Sequence, residues 1–166
     1  MLRFFRTFSK PTASLALSGL LACLMLGVSV SNHSAHAKPG SSFDHSAPRV
    51  VAVVDLSDQM IRVFRSGVLM HSWKVSTARR GYITPVGKFT PYRTHKMWRS
   101  RKYDNAPMPY SVFYHKGWAV HGTNAVKRLG RPASHGCVRL HPKHAKTLYK
   151  LVRKVGMKNA QIVVRH

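Results

Sequence analysis

Residues 49–56 read Arg-Val-Val-Ala-Val-Val-Asp-Leu, a nearly continuous apolar run. Short runs rich in β-branched residues are typical of buried strands. Two more segments rich in Val, Ile, Phe and Trp follow at 59–65 and 68–76, and the Ser66-Gly67 pair between them has the composition of a hairpin turn. The region after residue 48 is therefore predicted to begin with β structure.

Further strands are predicted at 87–90, 111–114, 118–121 and 161–164. One helix is predicted at 142–154, where Pro142 starts the segment, apolar residues recur at helical spacing, and Gly156 lies just beyond. The fold class expected from these elements is mainly β, with one or two peripheral helices.

A second kind of segment lies between the predicted strands. Residues 91–109 are basic, aromatic and bounded by prolines. Connections of that length in a compact domain are often functional, so this segment is predicted to be a loop that acts as a lid or binds substrate.

The N-terminal region has the composition of an export signal. Arg3, Arg6 and Lys10 precede an uncharged run at 13–30, and Ala35-His36-Ala37 has the small-x-small pattern that signal peptidase accepts. The chain is therefore expected to be exported, to the periplasm or the cell wall.

The predicted organisation is a signal peptide at 1–37, a flexible lead-in at 38–48 and one domain at 49–166. Two alternatives stay open for the first segment. The uncharged run approaches the length that spans a bilayer, so it can also be a retained anchor. Leu20-Leu21-Ala22-Cys23 resembles a lipobox, which would make Cys23 a lipidation site.

The charge balance of the 166-residue chain is extreme, with 28 Lys and Arg against four Asp and no Glu, a formal net charge of +24. With so few carboxylates, neither glycosidase chemistry that uses paired carboxylates nor a carboxylate-rich calcium or magnesium site is expected. The charge indicates an acidic partner. The cations are dispersed and no nucleic-acid-binding motif is present, so anionic wall polymers and carboxylate-bearing substrates are expected, and nucleic acid is not.

Beyond residue 37 the chain has one cysteine, so no intramolecular disulfide is expected. Cys137 lies in Ser-His-Gly-Cys-Val-Arg-Leu, residues 134–140. A nucleophilic thiol needs a base or a cationic neighbour, and both His121 and His135 are candidates for the base. Gly136 lets a substrate approach closely and leaves backbone N–H groups for an oxyanion hole, while Arg139 offers a planar fork to a carboxylate.

Structural roles for the same residues also stay open at this level. A lone cysteine is often a small buried hydrophobe, although the sequence around Cys137 is more polar than a core strand. His121 has the pattern of a core histidine as much as that of a base. His141 and His144 suggest a metal site with Cys137, but the spacing matches no standard zinc pattern, so neither a metal nor another cofactor is expected.

These residues give the sequence a family resemblance. It resembles the L,D-transpeptidase catalytic domain, the YkuD-like family of exported cell-wall enzymes, whose motif is a His followed after a dozen or so residues by Ser/Thr-His-Gly-Cys and then, one residue on, Arg or Asn. The corresponding residues here are His121, Ser134 to Cys137, and Arg139. Three more segments resemble the family's pattern: Thr84-Pro85-Val86-Gly87-Lys88-Phe89, Met108-Pro109-Tyr110 and Gly130-Arg131-Pro132-Ala133. The resemblance covers roughly residues 49–164.

The resemblance implies a β-sandwich fold and a role for each matching residue. Cys137 is expected to be the nucleophile and His121 the general base, held in one tautomer by the backbone carbonyl of Gly122. The oxyanion and substrate-binding residues are expected to be Ser134, His135, Gly136 and Arg139, with N–H groups from His135, Gly136 and Cys137 facing the oxyanion.

The implied reaction is peptidoglycan L,D-transpeptidation, part of wall biosynthesis and cell shape. The thiol would form an acyl-enzyme from a tetrapeptide stem with release of D-Ala. An amine of a second stem peptide, or of an envelope protein, would then accept the acyl group. Two alternatives stay open: an L,D-carboxypeptidase or amidase that uses water on the same scaffold, and a non-enzymatic cationic module that binds the cell wall.

Overall fold

The structure is a computed structural model that describes residues 48–166. The predicted signal peptide and residues 38–47 of the predicted lead-in lie outside the described residues. Within 48–166, no helix is long and apolar enough to cross a membrane. The described part contains one α-helix and nine strands: β1 (Val50–Asp55), β2 (Met60–Arg65), β3 (Val68–Lys74), β4 (Gly87–Phe89), β5 (Arg93–Ser100), β6 (Ala106–His115), β7 (Trp118–Gly122), β8 (Val138–Leu140), α1 (Pro142–Val155) and β9 (Ala160–Arg165).

The strands form two sheets. The five-stranded sheet has the order β3-β2-β1-β9-β4, and the four-stranded sheet has the order β5-β6-β7-β8. β1 pairs antiparallel with β2 and parallel with β9, and β7 pairs parallel with β8. Buried side chains from both sheets and from α1 join in one core cluster, which includes Val54, Ile61, Val112, Val120 and Leu148. The mainly β sandwich expected from the sequence is confirmed.

The helix follows from its sequence. His141 is the N-cap, and its Nδ1 accepts a hydrogen bond of 3.2 Å from the Lys143 N–H, while Pro142 occupies the first turn. Gly156 ends the helix with φ of 87°, a conformation that glycine adopts without steric strain. The predicted helix at 142–154 is confirmed within one residue.

The prediction of a loop at 91–109 is wrong. These residues form β5 and the start of β6, joined by a tip at 101–105. Cross-strand pairs such as Trp98 with Met108 stabilise the hairpin. Its prolines are tolerated because β7 pairs only with residues 112–115 of β6, so the segment with Pro107 and Pro109 has a strand on one side only.

The judgement that residues around Cys137 are too polar for a core strand is also wrong. β8 begins directly after Cys137, and the side chains of Val138 and Leu140 are fully buried. Three residues are enough because β8 is held on both sides. It pairs with β7, and Arg139 exchanges two backbone hydrogen bonds with Ser76, of 2.8 and 3.0 Å.

Candidate active site

The parallel pairing of β7 and β8 places the residues of the sequence motif on one side of a sheet. His121 lies opposite Arg139 in the register. Since alternate residues of a strand point to the same face, four side chains share that face: Ala119, His121, Cys137 and Arg139. The other face carries Val120, Val138 and Leu140, all in the core.

The face with Cys137 opens into a cavity of about 830 Å³. The β5–β6 hairpin, the β6–β7 turn and the loop before β8 form its walls. The lining includes aromatic and apolar residues at Trp98, Tyr103, Met108, Phe113 and Trp118, the basic residues Arg93, Arg101, Lys102 and Arg139, and both His121 and Cys137. Such a cavity suits a substrate that has an apolar part and a carboxylate.

His121 is buried, and its Nδ1 lies 2.7 Å from the carbonyl oxygen of Gly122. A carbonyl can only accept, so Nδ1 carries the proton and Nε2 keeps its lone pair. Burial lowers the pKa of His121 to about 4, against the raising effect of the Gly122 hydrogen bond and with a further lowering by Arg139. The imidazole is therefore neutral near neutral pH. The sequence-derived role of His121 as a base stays a prediction.

Cys137 contacts Ala119, Met108 and Phe113, which form a small apolar cluster beside the main core. Its Sγ lies 3.9 Å from the carbonyl oxygen of Gly117. Burial raises the pKa of the Cys137 thiol, and a backbone hydrogen bond from Ala119 and the charge of Arg139 partly offset that rise. Near neutral pH these shifts favour a neutral thiol and a neutral imidazole over an ion pair.

Arg139 and His135 differ in how they face the cavity. The Arg139 guanidinium Nη1 donates to the Ala133 carbonyl at 3.2 Å, which ties it to the start of the Cys137 loop. The His135 ring lies between two tyrosine rings: Tyr103 stacks on it at 4.5 Å with an interplanar angle of 12°, and Tyr82 meets it edge-on at 4.6 Å. His135 thus joins the Cys137 loop to the tip of the β5–β6 hairpin.

Of the three predicted oxyanion donors, the Gly136 N–H is already in use. It donates to the Ser134 Oγ at 2.9 Å, and Ser134 is completely buried. Ser134 lines the cavity and shapes the loop through this hydrogen bond, and its role in binding the substrate or the oxyanion stays a prediction. Neither the His135 nor the Cys137 N–H has a hydrogen-bond partner within residues 48–166, so those two remain candidates for oxyanion donors.

Gly136 is required by its conformation and by its surroundings. Its φ of 127° is strained for residues with a side chain. A Cβ at this position would lie 2.5 Å from Trp118 Nε1 and 2.7 Å from the carbonyl oxygen of Ile83. Close contact on both sides fixes the backbone next to the thiol.

Sequence reasoning missed the residues that hold the Cys137 loop from behind. The Thr77 carbonyl accepts hydrogen bonds from the backbone N–H groups of Ala133 and Ser134, at 2.9 and 2.8 Å. Thr84 Oγ1 accepts from the Ala78 N–H at 3.0 Å and donates to the Gly136 carbonyl at 2.8 Å. Thr84 stands in the Thr-Pro-x-Gly-x-Phe segment that the resemblance singled out, which was the one signal available.

The histidines at the start of α1 were the remaining candidates for a metal site. In the part of the chain that the structure describes, no group of three or more His, Cys, Asp or Glu side chains is arranged to hold a metal ion. His144 stacks on Trp73 at 4.8 Å instead, and Trp73 stacks on His71 at 4.6 Å.

The fold and the cavity lined by His121 and Cys137 define a two-sheet β domain with a cysteine–histidine site, and comparison with known proteins names the family. The model of the L,D-transpeptidase catalytic domain, YkuD, matches residues 49–164. The chain therefore belongs to this family. No curated protein matches the sequence.

Solved structures of L,D-transpeptidases share the fold. The enzyme from Mycobacterium smegmatis is 22% identical with a TM-score of 0.63, and the match covers 72% of this chain and 59% of that one. L,D-transpeptidase 3 from Mycobacterium tuberculosis, in complex with a faropenem-derived adduct, is 24% identical with a TM-score of 0.61, covering 72% and 61%. The protein from Stackebrandtia nassauensis is 27% identical with a TM-score of 0.61, covering 76% and 62%. The chain thus spans about three-fifths of the length of these relatives.

Proposed function

We propose that this protein is an exported peptidoglycan L,D-transpeptidase that uses Cys137 as its nucleophile. The observation that supports the proposal best is the shared sheet face. Cys137 and His121 project from adjacent parallel strands into one cavity, and the tautomer of His121 leaves Nε2 free to take a proton. The family membership adds the reaction class.

In the proposed acylation, His121 Nε2 takes the thiol proton as Cys137 Sγ attacks a peptide carbonyl. That carbonyl joins the L-centre of the diamino acid at stem position three to the D-Ala at position four. The N–H groups of His135 and Cys137 stabilise the oxyanion. The intermediate then collapses, the bond to D-Ala breaks, and the protonated His121 returns its proton to the leaving amine, which leaves a thioester.

A neutral resting pair has a consequence for the chemistry. Because burial raises the pKa of the Cys137 thiol and lowers that of His121, Cys137 is expected to remain a protonated thiol until the substrate binds. The proton moves as the new carbon–sulfur bond forms. Small electrophiles that only report on thiolate content are therefore expected to react with Cys137 no faster than with free cysteine, which reverses the expectation for a thiol activated in advance.

In the second half-reaction an amine attacks the thioester, and Cys137 is regenerated. The amine belongs to a second stem peptide, giving a 3→3 cross-link, or to a Lys of an envelope protein. The basic cavity wall at Arg93, Arg101 and Arg139 favours stem-peptide carboxylates over neutral substrates. We propose the periplasm or cell wall as the location, where this substrate is found.

The test uses a disaccharide-tetrapeptide as the donor and measures free D-Ala. The protein should release D-Ala, and Cys137→Ser should release none while unfolding at nearly the same temperature, since replacing sulfur by oxygen leaves no large cavity. Release by the variant would remove Cys137 from its role. Release at an unchanged rate from a donor whose side-chain amine is acetylated, with no other amine present, would favour the carboxypeptidase alternative. No release from the unmodified donor would favour a binding module.

A further inference from the structure

The solvent-facing side of α1 carries a cluster of cations that the proposed chemistry does not use. Five residues of this 14-residue helix are exposed cations, and the helix contains no acid. They are Lys143, Lys146, Lys150, Arg153 and Lys154, called the α1 stripe below. At roughly 100° per residue they lie within an arc of about 100°, on the opposite side from the buried Ala145, Leu148 and Val152.

Most of the α1 stripe is unfavourable for the helix itself, although Arg153 and Lys154 stand in the last turn, where the helix dipole favours cations. Lys146 and Lys150, and Lys150 and Lys154, are like charges at i,i+4 spacing, which destabilises a helix. Lys143 stands in the first turn, where the helix dipole disfavours positive charge. In residues 48–166 the ion pairs to Asp engage only Arg62 and Arg165, so no acid neutralises the stripe.

The position of the stripe leaves the cavity accessible. The buried side of α1 packs into the core cluster with Val112, Val120 and Leu140. These residues lie on the face of the four-stranded sheet opposite to Cys137. A polymer bound along α1 would therefore hold the domain without covering the site.

We propose that the α1 stripe binds a linear phosphodiester polymer that lacks bases. The stripe spans about 16 Å along the helix, with neighbouring side chains roughly 5 to 6 Å apart, which suits repeated charges on a flexible chain. Four of its five cations are lysines, which bind phosphates as compact point charges. Tyr149 adjoins the stripe, but it is only partly exposed and its hydroxyl accepts a hydrogen bond of 3.0 Å from Arg153. The helix therefore offers no row of exposed aromatic rings for successive bases, which disfavours single-stranded nucleic acid.

The experiment compares two variants with equal loss of charge. In the stripe variant all five stripe residues become Gln. In the matched control variant five exposed cations dispersed over the domain become Gln instead: Arg49, Lys74, Lys88, Lys96 and Lys127. Binding of a labelled synthetic glycerol phosphate oligomer is measured by fluorescence anisotropy at several salt concentrations.

The stripe variant should lose at least tenfold more affinity than the control, and the slope of log K against log salt should flatten mainly in the stripe variant. Its melting temperature should change little, because Gln removes repulsion within the helix but also removes the Arg153 hydrogen bond to Tyr149 and two favourable charges in the last turn. Equal loss in both variants would show that only the overall charge matters. Tighter binding of an oligodeoxynucleotide of equal charge, or of anionic lipid vesicles, would overturn the choice of polymer.

This inference does not depend on the proposed enzyme activity. Cys137→Ser should bind the oligomer as the unmodified protein does, and the stripe variant should release D-Ala from a soluble fragment at an unchanged rate. If the unmodified protein binds the oligomer but releases no D-Ala, only the proposed function is contradicted.

A second inference rests on the hydrogen bonds behind the Cys137 loop. Thr84 is buried, and its hydroxyl joins the Ala78 N–H to the Gly136 carbonyl, one residue before the nucleophile. Gln59 braces the same segment: its Nε2 donates to Thr77 Oγ1 at 2.6 Å, and its Oε1 accepts from the Thr77 N–H at 3.0 Å. We infer that Thr84 is a positioning residue that fixes the peptide plane before Cys137.

Thr84→Val keeps the shape and removes both hydrogen bonds, whereas Thr84→Ser keeps the hydroxyl. The Val variant should lose about 10- to 100-fold in kcat for D-Ala release with little change in KM, because misplacement of a reacting group by about 1 Å has effects of that size. The Ser variant should restore most of the rate. Equal rates for Val and Ser, or a matching fall in melting temperature that accounts for the lost activity, would reduce Thr84 to a structural residue.

Discussion

The two faces of the β7–β8 pair use the same strands for different purposes. On one face Val120, Val138 and Leu140 are fully enclosed by core residues, and on the other His121 and Cys137 line a cavity. Because successive side chains of a strand point to opposite faces, a residue that packs in the core is followed directly by a residue that lines the cavity. Substitutions on the core face should therefore change the free energy of unfolding, and those on the cavity face should change the reaction rate.

Apart from the complete loss expected of Cys137→Ser, the largest effect is expected on the cavity face, at His121. Removing the base in His121→Ala should lower the single-turnover acylation rate by about 10²- to 10⁴-fold, the range typical of general-base catalysis. His135→Ala should have a much smaller effect, because its ring stacks on Tyr103 at the rim. Acylation by the disaccharide-tetrapeptide is followed by rapid quench. If His135→Ala proves the slower variant, the roles of the two histidines are exchanged.

The matching substitution on the core face is Leu140→Ala. This side chain is fully buried, so its truncation should lower the free energy of unfolding by about 2 to 5 kcal/mol. Denaturant titration measures the loss, and D-Ala release per folded molecule should change little. A large fall in turnover of the folded variant, without loss of stability, would show that the two faces are not separate.

His121 also connects the cavity to stability, through pH. The pKa of His121 is near 6.5 in the unfolded chain and about 4 in the folded chain. Between these two pH values the unfolded chain binds a proton at this residue and the folded chain does not. Stability from this residue is complete above about pH 6.5 and is lost as the pH falls toward 4, by about 2 to 3 kcal/mol at about pH 4.5. Urea unfolding of the protein and of His121→Gln, each at about pH 4.5 and above about pH 6.5, isolates the effect. Identical pH dependence in the two proteins would contradict it.

The smallest effect is expected at Arg139, which serves both the loop and the cavity. Arg139→Lys keeps the charge but loses the planar fork, so kcat/KM for the tetrapeptide should fall about tenfold, with stability nearly unchanged. Steady-state D-Ala release measures the change. Activity equal to that of the unmodified protein would mean that the guanidinium geometry is not used.

The sequence predicted β1, β2 and β9 well, because each strand carries Val or Ile in a pattern that is local to the strand. It failed at β5, where Arg93, Lys96 and Arg99 are exposed on an edge strand and carry no apolar run. It also failed at β8, whose strand character comes from pairing with β7 and Ser76. Both strands exist because of neighbours that are distant in sequence.

The residues of the candidate site were likewise predicted only in part. The motif alone indicated His121 and Cys137. The supports behind them were not predictable, since Thr84 meets the Gly136 carbonyl 52 positions along the chain and Gln59 meets Thr77 18 positions along it. The occupied Gly136 N–H likewise depends on a Ser134 side-chain rotamer, which no spacing rule predicts.

The most direct test of the account is intact mass spectrometry of the protein after brief incubation with disaccharide-tetrapeptide. The account predicts a mass increase equal to the donor minus D-Ala, mapped to Cys137 by digestion, absent in Cys137→Ser and slow to form in His121→Ala. An adduct on any other residue, or D-Ala release with no thioester at Cys137 under conditions that trap it, would contradict the central claim.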